Sequence, residues 1–179
     1  MNLYKNGLAK KMGYQNGFTL MELLITIAIV GVTATIAIPS MSEFMKNERL
    51  TTSTNSLISS LSMARSEALS KYKQAVVCAS DDGASCSGGD WKDGWIVFRD
   101  EDNDGDVSAG DELIKAQSEF EGTITIGKTG GATVVYNSQG YAPTSITTFS
   151  ICDDRGSAEG RVVSVSRLGR MTRGGAISC

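Results

Sequence analysis

Gly17-Phe18-Thr19-Leu20-Met21-Glu22-Leu23-Leu24 opens an apolar run that ends at Pro39 and decides the architecture. Phe18 to Ile38 is 21 residues and carries one charge, Glu22. As a helix at 1.5 Å per residue the run spans roughly 30 Å, enough to cross a bilayer. A carboxylate there costs on the order of 2.5–3.5 kcal/mol at the bilayer centre, and less toward the interface, so it needs a reason. Lys5, Lys10 and Lys11 lie just before the run. That asymmetry predicts a cytoplasmic N-terminus, with the rest of the chain across the membrane. A cleaved secretory signal is disfavoured, because its apolar region is only about 7–15 residues long and ends in small residues.

The chain has 179 residues, enough for one membrane helix and one modest globular domain. Its formal charge is −3, and removing Lys5, Lys10 and Lys11 takes this to about −6, which argues against nonspecific nucleic-acid binding by bulk charge. The average conceals a local contrast. Asp100 to Glu112 holds seven acids and no base, which leaves the rest of the chain at +4. Histidine is absent, so the commonest general base and zinc ligand are missing and no Ser-His or Cys-His pair can form. No glycine-rich loop carries a phosphate-binding lysine, and no cofactor is implied. The chain reads as a non-enzyme. Four cysteines in an exported chain predict two disulfides. Of the three possible pairings, the expected one joins Cys78 to Cys86 across a short loop and Cys152 to Cys179 at the C-terminus.

Beyond Pro39 an amphipathic helix is expected to continue to about Tyr72. Leu50, Thr54, Leu57, Leu61, Ala64, Ala68 and Tyr72 recur at steps of three and four, with Glu48, Arg49 and Ser59 facing elsewhere. After Tyr72 short β-rich runs alternate with Gly, Asn, Asp and Ser. The expected strands are 74–79, 94–99, 112–117, 123–127, 132–136, 147–152 and 161–166.

The Gly17-Phe18 junction, Glu22 in the fifth position after Gly17, the apolar run and Pro39 together resemble the type IV prepilin signature. That resemblance implies a leader over 1–17, cleavage after Gly17 by a prepilin peptidase, and N-methylation of Phe18. It also implies a membrane and filament-core helix over 18–39, an amphipathic helix over 40–72 and a globular domain over 73–179. Such a subunit spans the inner membrane once, with its C-terminal domain in the periplasm, and is then extracted into an extracellular filament. Glu22 would pair with the Phe18 amine of its own or a neighbouring subunit. Gly94-Trp95-Ile96-Val97-Phe98-Arg99-Asp100, followed by Asp102-Asn103-Asp104-Gly105, is similar to the globular domain of GspH/FimT-type minor pilins, as is Ala64-Arg65-Ser66-Glu67-Ala68. The implied fold class is α+β: a long N-terminal helix packed on antiparallel β-structure. Type IV pili and type II secretion pseudopili share this fold, and other pilins are the implied partners.

Two constellations carry possible chemistry. Asp100, Asp102, Asp104, Gly105, Asp106 and Asp111 fall at calcium-loop spacing, D-x-D-x-D-G-x5-[DE], where alternating oxygen ligands wrap one cation. The competing reading is a solvated acidic turn that blunts strand edges. From Arg161 to Cys179 there are four arginines, Arg161, Arg167, Arg170 and Arg173, and no acid. Glycines let a backbone approach phosphate, and guanidinium forks match phosphate oxygens. The segment resembles the Gly-Arg-x-Arg DNA-binding motif of FimT-type pilins, carried onto Gly169, Arg170 and Arg173, with Arg167 and Arg161 as supplementary candidates. The resemblance implies capture of double-stranded DNA in natural transformation. A structural minor pilin that primes assembly at the filament tip, and a GspH-like minor pseudopilin of type II secretion, are the alternatives.

Overall fold

The computed structural model describes residues 17–130, 132–143, 146–175, 177 and 179; Lys5, Lys10, Lys11 and the rest of the expected leader before Gly17 lie outside them. The chain divides into two compact units, one up to Ser42 and one from Glu43 to Cys179. A single helix, α1 (Leu20–Lys71), contributes to both.

In the first unit α1 starts at a side-chain cap. The Thr19 hydroxyl accepts the Glu22 backbone N–H at 3.2 Å, which satisfies one of the orphan donors of the first turn. Glu22 lies in that turn, where negative charge suits the helix dipole. Pro39 lies inside α1 without ending it. Proline removes one backbone bond, a loss that long apolar helices tolerate when the neighbouring turns hold. Leu20, Leu24, Ile27, Val30, Ile36 and Ile38 are all exposed. An apolar surface of this extent needs lipid or other helices to cover it.

In the second unit α1 buries Leu50, Ser53, Thr54, Leu57, Ser60, Leu61, Ala64 and Ala68. Ser53, Thr54 and Ser60 are buried without cost to hydrogen bonding, because each hydroxyl donates to a carbonyl one turn earlier. Tyr72 departs from the expected stripe. It lies one residue past the helix in the left-handed region, φ 57°, and is 80% exposed. Its backbone ends the helix and turns the chain into the first strand, which aims the ring at solvent.

The strands are β1 (Gln74–Ala79), β2 (Gly94–Asp100), β3 (Glu112–Ser118), β4 (Thr125–Thr129), β5 (Thr133–Tyr136), β6 (Thr147–Cys152), β7 (Arg161–Val165) and β8 (Met171–Arg173). They form two antiparallel sheets, ordered β3-β2-β1-β5 and β4-β6-β7-β8. β4 lies two residues later than expected, because its ladder with β6 runs from Thr125 opposite Cys152 to Thr129 opposite Thr148. β8 was not expected at all. The core collects Leu57, Leu61 and Ala64 of α1, Val77, Trp95 and Val97 of the first sheet, and Phe149, Val163 and Val165 of the second. Val76, Cys78, Ile96 and Phe98 form a second cluster with Cys86 packed against it. Cys78 is bonded to Cys86 and Cys152 to Cys179, with Cα separations of 5.6 and 5.9 Å.

The β4 register carries Lys128 into the interior. Its Nζ is buried without a hydrogen-bond partner among the described residues, 5.6 Å from the Trp91 ring centroid and 5.9 Å from that of Phe149. Burial pushes the ammonium pKa down to about 8, although the ring faces offset part of the lost hydration. The folded value is thus below the unfolded one, about 10.4. Between those values the unfolded chain binds more protons, so this group makes stability rise with pH through that window. Lys128→Met is therefore expected to raise the melting temperature at pH 7, with an advantage that shrinks toward pH 10. An advantage independent of pH would show that the ammonium is solvated.

Candidate functional site

The C-terminal basic segment folds as the β7–β8 hairpin. Val165 stands opposite Met171, Ser164 opposite Thr172 and Val163 opposite Arg173. Ser166 and Arg170 close the turn: the Ser166 N–H donates to the Arg170 carbonyl at 2.9 Å, and Gly169 N–H donates to the Ser166 carbonyl at 2.8 Å. Arg65 of α1 holds the turn down. Its Nε donates to the Gly140 carbonyl at 3.0 Å and its Nη2 to the Leu168 carbonyl at 3.2 Å. Arg173 therefore belongs to an edge strand rather than to a loop, on a strand outside those expected.

Gly169 does not offer its backbone to a ligand. It is buried with φ +71°, and a Cβ placed there would lie 2.0 Å from the Gly140 carbonyl oxygen. This glycine is required by the close approach of two loops. The segment itself reads Gly169-Arg170-Met171-Thr172-Arg173, with two residues between the arginines where the Gly-Arg-x-Arg pattern has one. Side chains alternate along extended backbone, so a spacing of two puts both guanidinia on one face and a spacing of three puts them on opposite faces. Met171 and Arg173 share the face toward α1. The Ser62 hydroxyl contacts Met171 Sδ at 3.8 Å, and Arg173 Nη2 donates to Asn55 Oδ1 at 2.9 Å. Arg170 is exposed on the other side, beside the exposed Arg167.

Arg161, two residues before Val163, also shares the α1 face and is half-buried. Its Nη1 donates to the carbonyls of Glu159 and Gly160. Among the described residues, none of Arg161, Arg167, Arg170 and Arg173 enters an ion pair. Other arginines contrast with them. Arg99 is paired with Glu67, Glu101 and Glu112, and Arg155 with Glu43 and Asp153. Arg155 holds the Asp153 carboxyl below the usual range. The structure thus brings Arg161 and Arg173 to one face and Arg167 and Arg170 to the hairpin tip. Sequence reasoning missed Asn55 and Thr51, which lie one turn apart on α1 and show no sign in the sequence of meeting the hairpin.

The acidic loop closes on its own amides. Asp100 is fully buried and accepts the N–H groups of Asn103 at 2.7 Å and Gly105 at 2.9 Å, and the Gln74 amide at 2.7 Å. Asp111 accepts Glu101 N–H and Ser108 N–H; despite partial burial, those bonds hold its carboxyl below the usual range. Asp100, Asp102 and Asp104 bring carboxylate oxygens within 4.8 Å of one another, whereas Asp106 and Asp111 stand outside that group. Three of the five expected calcium ligands therefore converge.

A family described as type II transport protein GspH matches residues 53–169, and the prokaryotic N-terminal methylation motif matches residues 12–38. The chain belongs to the GspH family. GspH-family membership and the methylation motif place it among the minor pilins and pseudopilins of type IV pili and type II secretion, which are structural subunits rather than enzymes. Two crystal forms of the type IV minor pilin FimU of Pseudomonas aeruginosa share its fold. One has a TM-score of 0.59 at 25% identity, covering 74% of this chain and 92% of FimU. The other has a TM-score of 0.55 at 24% identity, covering 70% and 93%. Two fimbrial proteins of Pseudomonas aeruginosa are each 36% identical over 69 residues, 38% of this chain. The match spans 44% of the length of those relatives. The GspH match ends at Gly169, so Arg170 and Arg173 lie beyond it.

Proposed function

We propose that this chain is a minor type IV pilin that binds extracellular double-stranded DNA with the β7–β8 hairpin for uptake in natural transformation. The observation that carries the reading is the set of four arginines on one hairpin with no ion-pair partner among the described residues, in a chain whose net charge is negative. Binding through such a patch is electrostatic and largely independent of sequence. A filament presenting several copies would compensate for a weak single site. The leader over 1–17 is removed after Gly17 by a prepilin peptidase, Phe18 is methylated, and Glu22 pairs with a Phe18 amine. Residues 18–39 hold the chain in the inner membrane and then in the filament core, among other major and minor pilins. Residues 40–72 and 73–179 face the periplasm, then the exterior.

The test is duplex binding by the full chain in a neutral detergent. Arg170→Gln and Arg173→Gln should each weaken it by about 1–2 kcal/mol, as for a charge-assisted hydrogen bond. The loss should be the same for unrelated duplexes, and the salt dependence should become shallower by about one phosphate contact. Unchanged affinity in the double variant would overturn the assignment. The family description favours a second reading, a minor pseudopilin of type II secretion. A structural tip pilin is the third. Deletion separates these readings, costing transformation in the first case, secretion in the second and piliation alone in the third.

A further inference from the structure

The α1 face of the hairpin lines a half-open cleft of about 220 Å³. Thr51, Thr54 and Asn55 form one wall, and Arg161, Arg173 and the Gly174-Gly175 pair form the other. At about 30 Å³ per liquid water, this is room for several waters or one tetrahedral oxyanion. Among the described residues the lining holds two guanidinia and no carboxylate. The cleft beside the Cys78–Cys86 loop has the opposite character, with Asp81, Asp82, Asp93 and Glu119 and, among the described residues, no base. An anion is drawn to the first and repelled by the second.

The donors around the first cleft are already oriented. Arg161 is anchored through Nη1 to two backbone carbonyls, which leaves Nε and Nη2 to donate elsewhere. Arg173 is anchored through Nη2 to Asn55 Oδ1. That same bond fixes the Asn55 amide, leaving its Nδ2 as a donor. Gly174 and Gly175, at φ +98° and +136°, carry no side chain across the mouth. Two guanidinia, an amide and the Thr51 hydroxyl supply more donors than the two oxygens of a carboxylate can accept, and match the oxygens of a phosphate. Ordering such a seat before the ligand arrives lowers the entropy lost on binding.

We infer that this cleft is a seat for one phosphate group, built from Arg161 and Arg173 of the sheet together with Asn55 and Thr51 of α1. The inference rests on the DNA-binding reading for its source, a backbone phosphate of the duplex. Arg167 and Arg170, at the hairpin tip, then contact the duplex outside the seat. The helix is part of the binding surface, although the basic segment lies more than a hundred residues later in the chain.

Asn55→Asp tests the seat without removing a contact that holds the fold. Its carboxylate would meet Arg173 where the amide oxygen now does and neutralise that guanidinium. The full chain in neutral detergent is titrated first with inorganic phosphate against chloride at equal ionic strength, then with a short duplex. Phosphate is expected to raise the melting temperature of the parent but not of Asn55→Asp. Asn55→Asp is expected to weaken duplex binding about tenfold, the size of one charge-assisted hydrogen bond. Arg161→Lys, which keeps the charge and loses the fork, should lose part of both responses. Equal phosphate stabilisation in parent and variant, or none in either, would overturn the seat. If the parent binds duplex and Asn55→Asp binds it equally well, the inference fails while the DNA-binding reading stands. If the parent binds no duplex but phosphate protects it and not the variant, the reading fails and the seat stands for a free or differently carried phosphate.

Discussion

Gly169→Ala should destabilise the globular unit by about 3 kcal/mol or more. Two costs add. Holding alanine at φ +71° costs roughly 1–2 kcal/mol, because its Cβ crowds the following carbonyl. The Cβ would also sit 2.0 Å from the Gly140 carbonyl oxygen and 3.2 Å from Arg65 Nε. Relieving that overlap means parting the two loops that Arg65 holds, and overpacking of this kind typically costs about 1–3 kcal/mol. Denaturant unfolding of the full chain in detergent measures the sum, and a loss under about 1 kcal/mol would mean that the loops are not in contact. DNA binding in conditions where Gly169→Ala remains folded should change little, since this glycine packs inward. A large loss of affinity by folded protein would return Gly169 to the ligand side.

Gly17→Val should leave folding untouched and abolish entry into filaments. Among the described residues nothing lies within 4 Å of a Cβ built at Gly17, and its φ is outside the left-handed region, so the described fold makes no demand for glycine there. The demand, on the proposed function, comes from cleavage. An uncut chain keeps Lys5, Lys10 and Lys11 immediately before residues 20–38 of α1, whose exposed side chains are mostly apolar. Packing those charges among neighbouring helices would cost several kcal/mol each without partners. Intact mass should find the leader retained in the membrane fraction and no variant in sheared filaments, while the parent begins at methylated Phe18. Glu22→Leu should be cleaved normally, insert at least as well, and incorporate poorly. Filaments containing uncut Gly17→Val chains would remove the prepilin reading.

Much of the fold could be read in the chain because it rests on local patterns. The apolar run from Phe18 and the three-and-four spacing of Leu50, Thr54, Leu57 and Leu61 announce one long helix, and β1 and β6 follow their β-branched runs to the residue. Tyr72 shows where periodicity overreaches: the pattern continues one position beyond the backbone that carries it. β4 is displaced because its ends are set by pairing with β6, whose partner residues lie 19 (Thr129–Thr148) to 27 (Thr125–Cys152) positions away.

The candidate site was legible as composition and not as geometry. An acid-free stretch with four arginines stands out in any reading of the chain. Which arginines stay unpaired depends on where Glu67, Glu112 and Asp153 fall in space, and those residues are spread over the whole chain. The sequence by itself determined the long helix, the β-rich domain, the absence of histidine chemistry and the presence of a basic C-terminal segment, because each follows from residue type and nearest neighbours. Only the tertiary structure decided that Gly169 faces Gly140, that Arg170 and Arg173 point to opposite sides of a strand, and that Asn55 meets Arg173. Those facts arise from hairpin register and from helix-on-sheet packing, interactions between residues up to 118 positions apart that no local pattern encodes.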